Sequence, residues 1–336
     1  PQTPNPKPQT PNPKPQGIML VRQYPLRRLF ATLSSPVHRD SDHYNTIRIF
    51  RLMSNNIHEN LSLENYMFNH EGLSMPTLLL YRNDRTIVIG KHQNPWKECY
   101  LDRISEDRVI LARRKSGGGA VYQDLGNTCF SYLTPIYDKD TAPLDARKVN
   151  NEMILKALKK LNIDAYVSGR NDLEVGGKKF SGSAYELDLG GKLTQKKALH
   201  HGTLLLNVNF SELNKYLNPS MPKLKSKGVD SVIARVINLR DLNPLITHEV
   251  VCDNLIDEFK QHYHWCTPIE KTIHQPLEYH PKVKEIYEKW TDQNWIIGET
   301  PGFSNNLEKR FTWGSVDLYL NVYQGQITDS KLYSDS

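Results

Sequence analysis

A chain of 336 residues, 38% of them hydrophobic and with a mean hydropathy of −0.58, has room for one large domain and a smaller one, and no apolar run in it approaches the ~20 residues of a membrane-spanning helix. The net charge of +6 would suit a nucleic-acid partner, but Lys7, Lys14, Arg22, Arg27 and Arg28 all precede His38 with no acid among them, which leaves about +1 for the rest and no electrostatic footprint for DNA or RNA. The four cysteines, Cys99, Cys129, Cys252 and Cys266, are scattered without Cys-x-x-Cys spacing, which points to reduced thiols rather than to a disulfide framework.

The first element is a repeat. Pro-Gln-Thr-Pro-Asn-Pro-Lys is written twice over residues 1–14, a composition that cannot form a core, and residues 1–18 are expected to be disordered or polyproline-like. Met19 is a plausible true start. Over residues 19–40, Leu26, Leu29, Phe30 and Leu33 fall at helical spacing among arginines and serines, with no acid before Asp40. That is the composition of an organellar transit peptide, and mitochondrial import is the expectation. The folded part should begin near Asn45. Residues 61–68 read as a helix, and residues 77–81 and 86–89 as strands around an Asn83-Asp84 turn.

The run Arg113-Arg114-Lys115-Ser116-Gly117-Gly118-Gly119-Ala120-Val121-Tyr122 carries the most chemistry. Glycines let backbone amides approach an anion, and an arginine fork suits phosphate or carboxylate. The nucleotide loops with known spacing do not fit: Val121-Tyr122 stands where a Walker A loop ends in Gly-Lys-Ser/Thr, and the Rossmann spacing would need glycine at 122. A tight turn with solvated arginines is the alternative to an anion loop. Residues 128–134 read as a strand, and Val149, Met153, Ile154, Ala157, Leu158 and Leu161 mark one face of a helix.

Gly176-Gly177 suits a two-residue hairpin turn. Under that pairing Glu174 faces Lys179, Leu173 faces Phe180 and Asp172 faces Ser181. Leu173, Val175 and Phe180 then share a face with Lys178, while Asp172, Glu174, Lys179 and Ser181 share the other. If the hairpin serves a site, Lys179 points into it and Lys178 does not. Next comes His200-His201-Gly202 with an apolar strand over residues 203–206. Adjacent histidines on an extended segment point to opposite faces, a poor metal pair, and no metal site is expected. Val251, Leu255, Phe259 and Tyr263 mark another helix. Beyond residue 268, Val283, Ile286, Tyr287 and Trp290 suit a short helix, followed by hairpin-like segments over residues 311–322. Strands mixed with a few helices indicate an α/β or α+β class.

These stretches together resemble lipoate-protein ligase A. The resemblance rests on Arg113-Arg114 with Ser116-Gly117-Gly118-Gly119-Ala120-Val121, on Asp124-Leu125-Gly126-Asn127-Thr128-Cys129-Phe130, and on Gly169-Arg170-Asn171-Asp172. Lys179 with Ser181-Gly182-Ser183-Ala184-Tyr185, and His200 to Asn207, extend it, as do Ile89-Gly90, Gln93-Asn94-Pro95-Trp96-Lys97-Glu98-Cys99 and Phe311-Thr312-Trp313-Gly314. It spans roughly residues 45–336. Gln123 departs from it, standing where that family usually has histidine; glutamine keeps the hydrogen bonding but cannot titrate.

The resemblance implies a mixed-sheet catalytic domain over residues 45–268, shared with biotin protein ligases, and the start of an accessory domain over 269–336 that continues further in the family. It implies ATP and magnesium as cofactors and lipoate as substrate, with adenylation followed by transfer to a lysine of apo lipoyl domains. Those domains would be the E2 subunits of 2-oxoacid dehydrogenases and the glycine cleavage H protein. It places ATP contacts at Arg114, Gly117, Gly118, Gly119, Ala120, Val121, Tyr122 and Lys179, and lipoate contacts at Lys179, Gly118, Gly119 and His201. Lys179 would be the catalytic group, and Asp172 would orient it or help to bind magnesium. Two other readings stay open: a lipoyltransferase that uses an activated or protein-bound donor, and a non-catalytic lipoyl-domain binder.

Overall fold

The computed structural model describes residues 45–136, 143–169, 171–190, 196–218, 235–312 and 314–334. The repeat, the segment over residues 19–40 expected to be a transit peptide, Arg170 and Trp313 lie outside the described residues. In chain order the described residues form β1 (Thr46–Leu52), α1 (Ile57–Asn69), β2 (Thr77–Tyr81), β3 (Thr86–Ile89), α2 (Pro95–Glu98), α3 (Leu101–Glu106), β4 (Ile110–Arg113), β5 (Val121–Gln123), β6 (Asn127–Ile136) and α4 (Pro143–Lys160). They continue with β7 (Tyr166–Ser168), β8 (Asp172–Val175), β9 (Lys178–Asp188), β10 (Lys196–Leu205), α5 (Phe210–Tyr216), α6 (His248–His262), β11 (Thr267–Ile273), α7 (Pro281–Thr291), β12 (Phe303–Phe311), β13 (Gly314–Tyr323) and β14 (Gln326–Ser334).

The main sheet has eight strands in the order β11-β1-β2-β6-β10-β9-β8-β7. β1 runs parallel to β2 and β11, and the remaining pairs are antiparallel. Both faces are covered, which is why Thr-Leu-Leu-Leu-Tyr in β2 is buried at every position rather than alternating. Ile47, Ile49, Leu78, Leu80, Phe130 and Tyr132 face α4 and α6. Phe50, Leu52, Leu79, Tyr81, Cys129 and Leu133 face α1 and α7. β3, β4 and β5 form a small second sheet with its own core. β12, β13 and β14 form a third, antiparallel one. The fold is thus a mixed α/β body with a small three-stranded antiparallel sheet at its C-terminal end.

Three sequence expectations differ in detail. The first helix starts four residues earlier than its apolar spacing suggests, capped by the Asn56 side chain on the His58 amide. Asn60, Ser62, Glu64 and Asn65 inside it are buried as well, so polar residues interrupt the apolar period. The strands on either side of Asn83-Asp84 have the expected bounds but are not a hairpin: β2 joins the main sheet and β3 the small one. Asn83 is fully buried there, donating to Gln123 Oε1 at 2.7 Å and accepting from Asn60 Nδ2 at 2.9 Å, and so carries the chain from one sheet to the other.

The third difference lies in the β8–β9 hairpin. Gly176 and Gly177 have φ of +57° and +76°, as a type I′ turn requires, and Val175 pairs with Lys178 and Glu174 with Lys179 as the sequence suggests. A β-bulge then shifts the ladder, so that Leu173 pairs with Ser181 and Asp172 with Gly182. Phe180 and Ser181 are both buried, and Ser181 therefore leaves the face of Lys179 on which plain alternation puts it.

Candidate active site

Below the α1 face of the main sheet lies a cavity of about 180 Å³. Its lining includes Gly118, Gly119 and Ala120 of the β4–β5 loop, with Arg114 and Lys179. Ile57 and Leu61 of α1, Tyr81 of β2 and Val88 of β3 supply apolar lining. A lining that combines cations and backbone amides with apolar side chains suits a small acid with a hydrocarbon tail.

Lys179 reaches this cavity from the polar face of β9, as strand alternation from the Gly176-Gly177 turn places it. Nζ lies 2.8 Å from Asp172 Oδ1, and the side chain passes over Gly182, where a Cβ would come within 2.9 Å of Nζ. Asp172 thus aims the lysine, and glycine at 182 leaves the room. Both groups are part exposed, so the pair orients more than it stabilises. Lys178 is exposed and lies outside the cavity wall.

The two arginines separate completely. Arg113 is 1% exposed and points away from the cavity. Its guanidinium donates to the carbonyls of Gly90, Lys91, Gln93 and Ile296 and to Thr300 Oγ1, while its own carbonyl accepts from Trp295 Nε1 at 2.8 Å. It is a tie between β4 and the segment after α7. Arg114 lines the cavity but is folded back into its own loop. Nε donates to Ser116 Oγ and Gly117 O, Nη1 to Val88 O, and Nη2 to Gly117 O at 2.7 Å and Gly119 O at 2.8 Å. Burial lowers its pKa to about 10, a shift that the nearby Glu64 carboxylate opposes. Gly118 has φ of +97°, and a Cβ there would meet Arg114 Nη2 at 2.7 Å. Gly117 is outside the cavity wall. Tyr122 turns its ring into the third core cluster, against Tyr216 at 5.9 Å, so that only Ala120 and Val121 of that stretch face the cavity.

His201 is also in the wall, 6% exposed, with Nε2 at 2.6 Å from Ser116 Oγ and Nδ1 at 3.0 Å from both oxygens of Glu64. Its neighbour His200 lies on the opposite face of β10 among Phe130, Tyr132 and Tyr185. Among the described residues no three His, Cys, Asp or Glu side chains are grouped to hold a metal ion. Gln123 lines the cavity as well, with its Oε1 taken by Asn83. Glu64 and Asn83 are the residues that sequence reasoning missed. Glu64 belongs to no local motif and shows only as a polar residue following Leu61-Ser62-Leu63, while Asn83 reads from sequence only as a turn residue beside Asp84.

Residues 56–260 match the Lipoyl protein ligase A/B catalytic domain family, and residues 300–336 match the Bacterial lipoate protein ligase C-terminus. The chain is 44% identical over 295 residues to the lipoate-protein ligase A of Psychrobacter cryohalolentis, covering 86% of this chain and 84% of that one. Three solved structures share the fold. A P. falciparum protein in complex with lipoate is 38% identical with a TM-score of 0.63, covering 86% of this chain and 85% of that one. A bipartite lipoate protein ligase from Thermoplasma acidophilum, solved with its E2 lipoyl domain as a lipoylation system, is 26% identical with a TM-score of 0.64, covering 80% and 100%. A lipoate-protein ligase A bound with ATP is 25% identical with a TM-score of 0.62, covering 76% and 99%. A catalytic-domain match over most of the chain, and 44% identity across most of a curated ligase, place the chain in the lipoate-protein ligase A family.

Proposed function

We propose that this protein activates lipoate with ATP to lipoyl-AMP and passes the lipoyl group to a lysine of an apo lipoyl domain. A carboxylate and an amine do not condense at useful rates in water, because the leaving group is poor; adenylation makes AMP the leaving group. The site must then offer cations and amides at phosphate, an apolar slot for the acyl chain and an opening for the acceptor lysine. The observation that carries this reading is the cavity itself, lined by Lys179 and the glycine loop together with Ile57, Leu61, Tyr81 and Val88. Lys179, aimed by Asp172, can neutralise charge at the acyl carbonyl and at the phosphate oxygen in turn. Gly118 and Gly119 admit a phosphate to the backbone, and Arg114 holds their loop in shape.

Magnesium fits as a companion of ATP rather than as a resident ion. The carboxylate in the lining, Asp172, is already paired with Lys179, and Mg²⁺ is commonly held by phosphates, waters and one or two carboxylates. Lipoyl domains of 2-oxoacid dehydrogenase E2 subunits and of the glycine cleavage H protein are the acceptors this chemistry would serve. Residues 19–40 support mitochondrial import. A fluorescent reporter carrying that segment should enter mitochondria, and Arg27→Glu with Arg28→Glu should leave it cytosolic; an unmodified segment that stays in the cytosol would refute the targeting.

The deciding assay supplies lipoate, ATP, magnesium and an apo lipoyl domain, and reads lipoyl-AMP and lipoylated domain separately. Both products are expected. Transfer from synthetic lipoyl-AMP with no adenylate formed from ATP would establish the lipoyltransferase reading instead. Domain binding with neither product would establish a non-catalytic binder.

A further inference from the structure

Glu64 is a carboxylate buried to 3% exposure in the middle of α1, and among the described residues no lysine or arginine lies within ion-pair distance of it. It accepts from Ser131 Oγ and stands 3.0 Å from His201 Nδ1. Ser131 and His201 are register partners on β6 and β10, so the sheet presents both to the helix at once. On the far side of the imidazole, Nε2 is 2.6 Å from Ser116 Oγ, and that oxygen also receives Arg114 Nε at 3.2 Å.

The geometry supports one order of donors and acceptors in particular. Both Glu64 oxygens stand 3.0 Å from Nδ1 and are acceptors, so Nδ1 of His201 is placed to carry the hydrogen. In the Nδ1–H tautomer Nε2 is an acceptor, and the Ser116 hydroxyl donates to it. Arg114 Nε, which can only donate, uses a lone pair of the same oxygen. The series runs from Arg114 through Ser116 and His201 to Glu64, and it crosses from the glycine loop to the helix.

Resting on the adenylating reading above, we propose that Glu64 is a positioning residue: it holds His201 as the Nδ1–H tautomer, and through Ser116 that tautomer fixes Arg114 and the glycine loop in the shape that receives the ligand. The alternative tautomer would turn an N–H toward Ser116 and reverse its hydroxyl. The bare Nδ1 would face the Glu64 carboxylate lone pair to lone pair, and the Ser116 hydroxyl would lose its acceptor on the ring, so the loop would lose a tether.

The test uses the full chain with ¹⁵N-labelled histidine and glycine, the His201 ring signals being identified by their loss in His201→Gln. In the unsubstituted protein Nδ1 of His201 should be protonated and Nε2 bare. Glu64→Leu should shift the ring toward Nε2–H and displace the amide signals of Gly117, Gly118 and Gly119. Glu64→Gln, whose amide oxygen still accepts from Nδ1–H, should restore both. Orienting partners of metal-bound histidines are worth about 10–100-fold in activity, and a loss of that order in lipoyl-AMP formation is expected for Glu64→Leu, with most of it regained in Glu64→Gln. If Glu64→Leu does not fold, Ser116→Ala carries the test: the Nδ1–H tautomer should persist while the glycine amides move. An Nε2–H tautomer in the unsubstituted protein, or glycine amides indifferent to Glu64→Leu or, in its place, to Ser116→Ala, overturns the proposal. These signals are read without substrate, so a protein that makes no adenylate would refute the functional reading and leave the relay to be judged on its own.

Discussion

At the scale of single residues, the site is built from neighbours that do opposite things. Lys179 enters the cavity and Lys178 does not, a distinction that strand alternation alone supplies once the Gly176-Gly177 turn is recognised. A donor placed at transition-state charge is worth about 2.7–4 kcal/mol, whereas an exposed charge is worth under about 0.5 kcal/mol. Lys179→Ala should therefore nearly abolish lipoyl-AMP formation and transfer in a protein that keeps its fold by circular dichroism, and Lys178→Ala should retain most activity. Equal losses in the two variants would mean that neither lysine acts on the reacting groups. The glycine loop offers a second contrast. Gly118→Ala meets both a positive φ and Arg114 Nη2 at 2.7 Å, while nothing lies within 4 Å of a Cβ at Gly117. Gly118→Ala should cost about 1–3 kcal/mol of stability by denaturant titration and weaken ATP binding; Gly117→Ala should leave stability within about 0.5 kcal/mol. Comparable midpoints for both variants would show that the loop does not need this conformation.

The same scale marks where the sequence stops informing. Arg113 and Arg114 are adjacent and chemically identical, and only the packing around β4 decides which is a structural tie and which borders the cavity. Glu64 meets His201 across 137 positions of chain, a pairing that no local pattern encodes.

Elements show the same division between local and tertiary information. The bounds of β2 and β3, the apolar stripes of α4, α6 and α7, and the β8–β9 turn follow from residues within one window, and all are legible. The bulge is not, because it depends on Phe180 and Ser181 finding buried places at once. The assignment of β2 and β3 to different sheets is not legible either, since it rests on Asn83 meeting Asn60 and Gln123. A further element-level device is the tie from β4 to the segment after α7. Trp290 and Trp295 stack at 5.4 Å beside it, and Arg113 donates to four carbonyls and a hydroxyl. Losing one partner of a buried hydrogen bond costs about 1–3 kcal/mol, and several are lost together here. Arg113→Ala is expected to lower unfolding free energy by at least about 3 kcal/mol, and Arg113→Lys should not restore it, because a lysine lacks the planar fork. A variant with an unchanged denaturation midpoint would show the tie to be incidental.

At the scale of the whole molecule, the covering of both sheet faces has a consequence for pH. His200 sits on the α4 face at 1% exposure, and neither ring nitrogen has a hydrogen-bond partner among the described residues. Burial lowers its pKa to about 3, with His201 and Arg147 adding in the same direction. His58 and His248 are lowered to about 4, again chiefly by burial. The unfolded chain binds protons at these histidines near pH 6.5 and the folded chain does not, so below that pH the unfolded state holds more protons. Their contribution to stability is fully present above about pH 6.5 and falls as the pH drops toward the folded values. For His200 the loss is about 1.4 kcal/mol per pH unit, or about 2 kcal/mol between pH 6.5 and pH 5. His200→Phe places an apolar ring among Phe130, Tyr132 and Tyr185 and removes the titration. Because the larger ring changes packing at every pH, the informative quantity is the difference between unfolding free energies at pH 7.5 and pH 5 in urea. That difference should shrink by about 2 kcal/mol in His200→Phe relative to the unsubstituted protein. An unchanged difference would mean that His200 is charged inside the fold or that its nitrogens are already satisfied there.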